Sequence, residues 1–232
     1  MRDIGVRRVD YGFFVRPAEE TGTGRARVEP AFGYLIEHPD AGVLLVDTGM
    51  GAHPEVDAWY RPVRVPLGKA LAEADGDVGR VKVVVNCHLH FDHCGGNAEL
   101  AGRPVFAQRA ELALARAAES HTLPELVDHP GARIEEIDGE AEVFPGVRIV
   151  PTPGHTAGHQ SVVVRRRDGV VVVAGQSHDN ATLFTSDVLG RHAGVGEQPA
   201  WLGLLMALDP KQVVFAHDNA VWTPGSSHVS LP

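Results

Sequence analysis

Within six residues, His88-Leu89-His90-Phe91-Asp92-His93, this chain sets three imidazoles and a carboxylate just after the apolar run Val83-Val84-Val85. No other feature constrains the fold as much. An apolar run of this kind reads as a buried strand, so His88 falls where the strand ends. Side chains on a strand repeat every two residues, so His88 and His90 point the same way. A turn after His90 folds Asp92 and His93 back toward them. Gly95-Gly96 reads as backbone freedom for a tight turn into a helix beginning near Asn97. Packing does not explain four such side chains together, whereas metal binding does. Nitrogen and oxygen donors suit zinc, with manganese or iron as alternatives. A catalytic zinc keeps one position for water and lowers its pKa from about 15.7 toward about 7, which supplies hydroxide at neutral pH. Two ions about 3.5–4 Å apart can share that hydroxide and polarise a carbonyl.

The chain carries 13 histidines, which prompts a search for further ligands. His155 lies in Pro151-Thr152-Pro153-Gly154-His155-Thr156, a loop stiffened by its prolines, and His217 ends the apolar run Val213-Val214-Phe215-Ala216. His53 follows an earlier loop and reads as a surface residue, with reach into the pocket as the alternative. His121, His129 and His192 lack ligand spacing and read as surface residues. Cys87 and Cys94 flank the motif. The apolar strand around Cys87 favours a buried structural thiol over a ligand. Two cysteines argue against a disulfide framework and fit a reducing cytoplasm. Trp59, Tyr60 and Phe184 read as core, or as the lining of an apolar acyl pocket.

Runs rich in Val and Ile predict strands over residues 32–37, 43–47, 81–87, 105–107, 147–151, 161–167, 170–174 and 213–216. The first two read as a hairpin joined by His38-Pro39-Asp40-Ala41-Gly42. Helices are expected over residues 66–74, 108–119 and 198–208, the second as a surface helix. Strands lead each half, with helices between and after, so two facing sheets with helices outside are expected, in one domain over residues 1–232. Residues 18–24 read as a mobile loop and residues 223–232 as a loosely held tail. The net charge of −9, from 30 acidic and 21 basic residues, argues against nucleic acid and anionic membrane as partners. Arg165-Arg166-Arg167 reads as a solvated turn. The sequence shows no apolar run long enough for a membrane span and no secretion signal in its first residues. The expected partner is a small-molecule substrate, and the oligomeric state stays open.

Taken together, these segments resemble the metallo-β-lactamase superfamily over nearly the whole chain. LLVDTGMG at residues 44–51 is similar to the family's early strand and loop, and HLHFDH to its central motif. HLHFDHCGGN, TPGHTAGHQS and VVFAHD look most like the N-acyl-homoserine lactonase branch. The resemblance implies an α+β fold, an αββα sandwich of two facing mixed sheets. It also implies one metal site of His88, His90 and His155, and a second of Asp92, His93 and His217. Asp47 would then support the site by orienting a metal-bound histidine. The implied activity is hydrolysis of a lactone or related acyl bond by metal-bound hydroxide, with Asp92 in the catalytic set. A thioesterase, a β-lactamase or a mononuclear-iron oxidoreductase such as a persulfide dioxygenase are the alternatives. The chain departs from the family at Gln176, where an Asp usually bridges two metals, and at Asp179, where the lactonases tend to carry Tyr. Asp179 or His178 stands as a substitute ligand by a local shift, or else as a group behind the site or facing solvent.

Overall fold

A computed structural model describes residues 3–118 and 121–227. The last five residues of the expected tail, and the end of the expected helix 108–119, lie outside the described residues. The first sheet is mixed and has seven strands. Strands β1 (Gly5–Arg16), β2 (Arg27–His38) and β3 (Gly42–Val46) run antiparallel. Short β4 (Val63–Arg64) pairs with the outer edge of β1. On the far side of β3, strands β5 (Val81–Val85), β6 (Pro104–Gln108) and β7 (Arg133–Ile137) continue in parallel. The second sheet has the order β12-β11-β10-β9-β8. Its strands are β8 (Ala141–Phe144), β9 (Val147–Pro151), β10 (Gln160–Arg166), β11 (Gly169–Val173) and β12 (Pro210–Val214).

Burial on both faces explains the apolar runs. On β3, Leu44 and Val46 meet Val162, Val164, Val171 and Val173 of the second sheet, while Val43 and Leu45 face the helices. On β11, Val172 turns outward instead, onto Phe184, Trp201 and Leu202. Helices α1 (Pro54–Tyr60) and α2 (Leu67–Glu73) cover the outer face of the first sheet. The short α3 (Phe91–Cys94) carries the histidine motif, and α4 (Arg109–Arg116) and α5 (Pro124–Val127) lie beside it. Helices α6 (Ala181–Ala193) and α7 (Ala200–Met206) cover the second sheet. This is the expected α+β sandwich. No helix among the described residues is long and apolar enough to cross a membrane.

Several local expectations change. Strand β1 is absent from the sequence reading because a bulge between Asp10 and Phe13, at Gly12 (φ 99°), shifts its alternation partway along. No long helix follows Gly96. The helical turn is α3 itself, and Asn97–Leu100 is a short 3-10 segment. Gly95 and Gly96 adopt ordinary negative φ of −60° and −92°. Gly95 is needed for space, since a Cβ there would lie 2.0 Å from the Gly51 nitrogen. His129 is buried rather than on the surface, and Phe184 is core, stacked edge-on to Phe215 and Trp222.

Candidate metal centre

Strands β3 and β5 lie side by side and end together, which brings Asp47 against the start of the motif. Asp47 sits in the left-handed region (φ 60°), a conformation Asp tolerates better than most residues. Its Oδ1 accepts the Cys87 N–H at 2.8 Å, and its Oδ2 lies 2.9 Å from His93 Nδ1. Tyr11 donates its hydroxyl to the Asp47 carbonyl at 3.0 Å. Behind α3, Asn86 donates to the His93 carbonyl and accepts from Asn97, whose own oxygen accepts from Thr48. These buried polar groups satisfy one another and fix the motif loop to the sheet.

His88, His90 and His155 bring one ring nitrogen each within 4.8 Å of one another. His155 Nε2 lies 3.2 Å from His90 Nδ1. His88 Nε2 is buried and meets no hydrogen-bond partner among the described residues, while its Nδ1 lies 3.2 Å from the Cys87 sulfur. A buried ring nitrogen left without a partner is costly unless a cation or water meets it. The loop that presents His155 is held from both sides. Thr152 and His159 close its base through paired contacts, with the Thr152 hydroxyl 2.8 Å from His159 Nδ1. Glu111, buried on α4, accepts from Leu89 N–H and from the Thr156 hydroxyl.

A second group of donors lies beside the first. His217 Nε2 stands 3.2 Å from His93 Nε2, 3.4 Å from Asp92 Oδ2 and 3.2 Å from Gln176 Oε1. His93 Nε2 is also 3.4 Å from Asp92 Oδ2. The backbone carbonyl of Pro30 can only accept, so His217 donates to it through Nδ1 at 2.8 Å and turns a lone pair on Nε2 inward. His93 turns Nδ1 to Asp47 and so also presents Nε2 to this point. Two imidazoles, a carboxylate and an amide oxygen thus converge, a donor set suited to a divalent cation once His93 gives up its inner proton. The donor set and the orphaned His88 nitrogen both fit divalent metal.

The electrostatics agree. Burial and the neighbouring rings hold His88 and His90 well below the usual histidine range. Burial likewise takes His155 and His217 down to about 4. These rings are therefore neutral ligands at pH 7. Burial alone would raise Asp92, but His93, His217 and His90 hold it well below the usual carboxylate range. Burial would lower His93, yet the Asp92 and Asp47 carboxylates against its two ring nitrogens raise it above the usual value. Burial pushes the Cys87 thiol up to about 12, so it stays protonated.

Other candidates fall elsewhere. His178 contacts Asp187 at 3.1 Å and stacks against Phe184 and Trp201, away from the cluster. Asp179 faces the cluster's rim but is paired with Arg16 at 2.9 Å and Arg27 at 3.2 Å. Tyr60 joins the pocket wall, whereas Trp59 is exposed. His53 caps α1. His121, expected as a plain surface residue, places Nδ1 2.8 Å from the Tyr60 hydroxyl, which donates to Glu20 at 2.8 Å. The cavity over the cluster measures about 370 Å³, with Phe14, Tyr60 and Phe91 on its apolar side and Arg16, Asp92 and Gln176 among its polar groups. Glu111, His159 and Arg16 are the residues sequence reasoning missed. No spacing marks them, because their roles depend on chain crossings that only the fold makes.

The chain matches the family model of the metallo-beta-lactamase superfamily over residues 26–217. It is 35% identical over 173 residues to an N-acyl homoserine lactonase of a Bacillus species, covering 68% of each chain. It is 31% identical over 169 residues to the N-acyl homoserine lactonase AttM of Rhizobium johnstonii, covering 62% of this chain and 63% of the relative. Its fold superposes on a crystal structure of a B. thuringiensis AiiA variant holding N-decanoyl-L-homoserine at its active site. The TM-score is 0.75 at 22% identity, covering 92% of this chain and 93% of that one. A probable metal-dependent hydrolase of Staphylococcus aureus also superposes, with TM-score 0.69 at 14% identity, covering 94% of this chain and 91% of that one. With the fold, the donor cluster and the motif matches in agreement, the chain belongs to the metallo-beta-lactamase superfamily and is one of its metallo-hydrolases.

Proposed function

We propose that this single-domain protein is a zinc-dependent lactonase that opens N-acyl-homoserine lactones or closely related cyclic esters in the cytoplasm. The observation that carries the reading is the convergence of His88, His90 and His155 beside Asp92, His93, His217 and Gln176, with His90, Asp92, His155 and Gln176 opening onto one cavity. The similarity to relatives named N-acyl homoserine lactonases supports the substrate class. His88, His90 and His155 would hold one ion. Asp92, His93 and His217, with the Gln176 oxygen, would hold a second, and manganese or iron would suit the same donors. Bound there, divalent cations acidify water and polarise an acyl carbonyl.

The chain's own groups do the rest. Phe14, Tyr60 and Phe91 offer apolar surface to the acyl part of the substrate. Glu20 and His121 fix the Tyr60 hydroxyl, so that wall is rigid. Asp92 lines the cavity as an ionised carboxylate. Placed there, Asp92 would accept a hydrogen bond from the attacking water, whose proton ends on the ring oxygen as the acyl C–O bond breaks, leaving a hydroxy acid. The acidic surface of a chain with net charge −9 fits a small-molecule substrate better than nucleic acid.

The test compares kcat/KM on acyl-homoserine lactones, aryl thioesters and β-lactams, with element analysis of protein purified without added metal. Lactone turnover with one or two zinc ions per chain is expected. Turnover of thioesters or β-lactams with none of lactones would overturn the substrate class, and a single iron with no hydrolysis would overturn the reaction.

A further inference from the structure

Both carboxylate oxygens of Asp179, one of the two positions the sequence left open as a substitute ligand, already have partners. Its Oδ2 takes Arg16 Nη1 at 2.9 Å and Arg27 Nη2 at 3.2 Å, and its Oδ1 takes Gln176 Nε2 at 3.4 Å. Both guanidiniums are also tied to Glu29, which is almost fully buried. Arg16 Nε lies 3.4 Å from Glu29 Oε2, and Arg27 Nε donates to Oε1 at 2.7 Å. Two cations and two anions thus balance in one cluster. Moving Asp179 toward the histidines would strip both arginines of a partner in a partly buried place, which is unfavourable.

A carboxylate only accepts, so the Gln176 group facing Asp179 must be the NH₂. The amide oxygen then turns the other way, to 3.2 Å from His217 Nε2. The Gln176 backbone is held too, its N–H donating to His159 Nε2 at 3.1 Å. A flipped amide would set its oxygen against the Asp179 carboxylate and its NH₂ against any cation between His93 and His217. Both contacts repel.

We propose that Asp179, clamped by Arg16 and Arg27, is a positioning residue that orients Gln176 so that a neutral amide oxygen, and not a second carboxylate, completes the His93–His217 metal site. This rests on reading the cluster as a metal centre. The site then has Asp92 as its single anionic ligand, so its ion binds more weakly than one held by two carboxylates and exchanges more readily.

The experiment titrates metal-free full-length protein with cobalt(II), following the visible spectrum and the stepwise affinities by competition with a chelator. Wild type, Asp179→Asn, Asp179→Leu and Arg16→Met are compared. If Asp179 positions Gln176, Asp179→Leu weakens the second step by about ten- to a hundredfold and changes its spectrum, while the first step and its spectrum hold. Asp179→Asn falls between, since its amide oxygen can still accept. Arg16→Met also weakens the second step, because the clamp loosens. If Asp179 were instead a ligand held back by the arginines, Arg16→Met would free it and tighten that step. Tightening, or no change in the second step in any variant, overturns the proposal. Wild-type protein that takes up no cobalt overturns the metal-centre reading beneath it, a result distinct from the other two.

Discussion

Thr156 donates its hydroxyl to Glu111 Oε2 across 2.6 Å, while Glu111 Oε1 accepts the Leu89 N–H at 2.9 Å. Thr156 follows His155, and Leu89 separates His88 from His90. One buried carboxylate therefore ties together the two loops that present the three histidines. Glu111→Gln keeps the shape but sets an NH₂ against at least one of the donors, Thr156, Leu89 and Gly158. A buried donor left unpaired costs about 1–3 kcal/mol. Melting should drop accordingly, and affinity for the first metal should fall by about tenfold or more. Calorimetry on metal-free protein followed by chelator competition checks both. Wild-type affinity in a destabilised variant would show that the tie serves folding alone.

The pKa shifts predict which metal step releases a proton. His88, His90 and His155 are pushed below their usual range, the last to about 4. They are already neutral at pH 7 and have nothing to release. His93 is raised, so in metal-free protein it holds a proton shared toward Asp92 and Asp47. Metal must displace it. Titration calorimetry at pH 7 in buffers of different ionisation enthalpy should give close to no protons for the tighter step and about one for the weaker. Lowering the pH toward 6 should therefore weaken the second step while leaving the first nearly unchanged. One proton released in both steps would contradict the assignment of charge to His93.

Asp47 offers a separation of shape from charge. Its φ of 60° suits Asn nearly as well as Asp. Asp47→Asn should fold and keep one contact to the Cys87 N–H, but it no longer offers a carboxylate to His93 Nδ1. The second metal step should weaken by about ten- to a hundredfold. Asp47→Ala should add a stability loss of roughly 1–2 kcal/mol from the left-handed backbone. Equal melting temperatures for the two variants would rule out the backbone contribution.

What the sequence made legible follows from how local each signal is. Apolar runs such as 81–85 and 170–173 announce strands because both faces are buried, and HLHFDH announces a metal site because its donors are packed into one turn. Helix α6 also carried local signals that went unread. Asn180 caps it by accepting from Leu183 N–H, and Gly194 ends it with φ 66°. Strand β1 was hidden by its bulge, and β7 (RIEEI) by charges along an exposed strand. The partners of Asp179 were beyond reach in principle. Arg16 and Arg27 are more than 150 positions away, and nothing in the spacing of β1 and β2 marks them as a clamp for a loop after β11.

Gly95 supplies the last test, because its role there is space alone. Its φ of −60° would suit alanine, so a substitution meets no conformational penalty. The added Cβ, however, would stand 2.0 Å from the Gly51 nitrogen and 2.2 Å from the Met50 carbonyl carbon, both backbone atoms that cannot swing aside. Helix α3 would have to lift from the loop after β3. The Gly95 N–H to Gly49 carbonyl bond at 2.8 Å and the Thr48 N–H to His93 carbonyl bond at 2.8 Å would stretch with it. Overpacking of this kind costs about 1–3 kcal/mol or more, and the displacement falls on Asp92 and His93. Gly194→Ala is the control. It has φ 66° and nothing within 4 Å of the new methyl, so it carries only the left-handed penalty of roughly 1–2 kcal/mol, on a surface helix end. Both variants should melt lower, but only Gly95→Ala should lose metal uptake and lactone turnover. If Gly95→Ala binds two ions as tightly as wild type, the contact between α3 and the Met50-Gly51 backbone does not set the geometry of the metal centre.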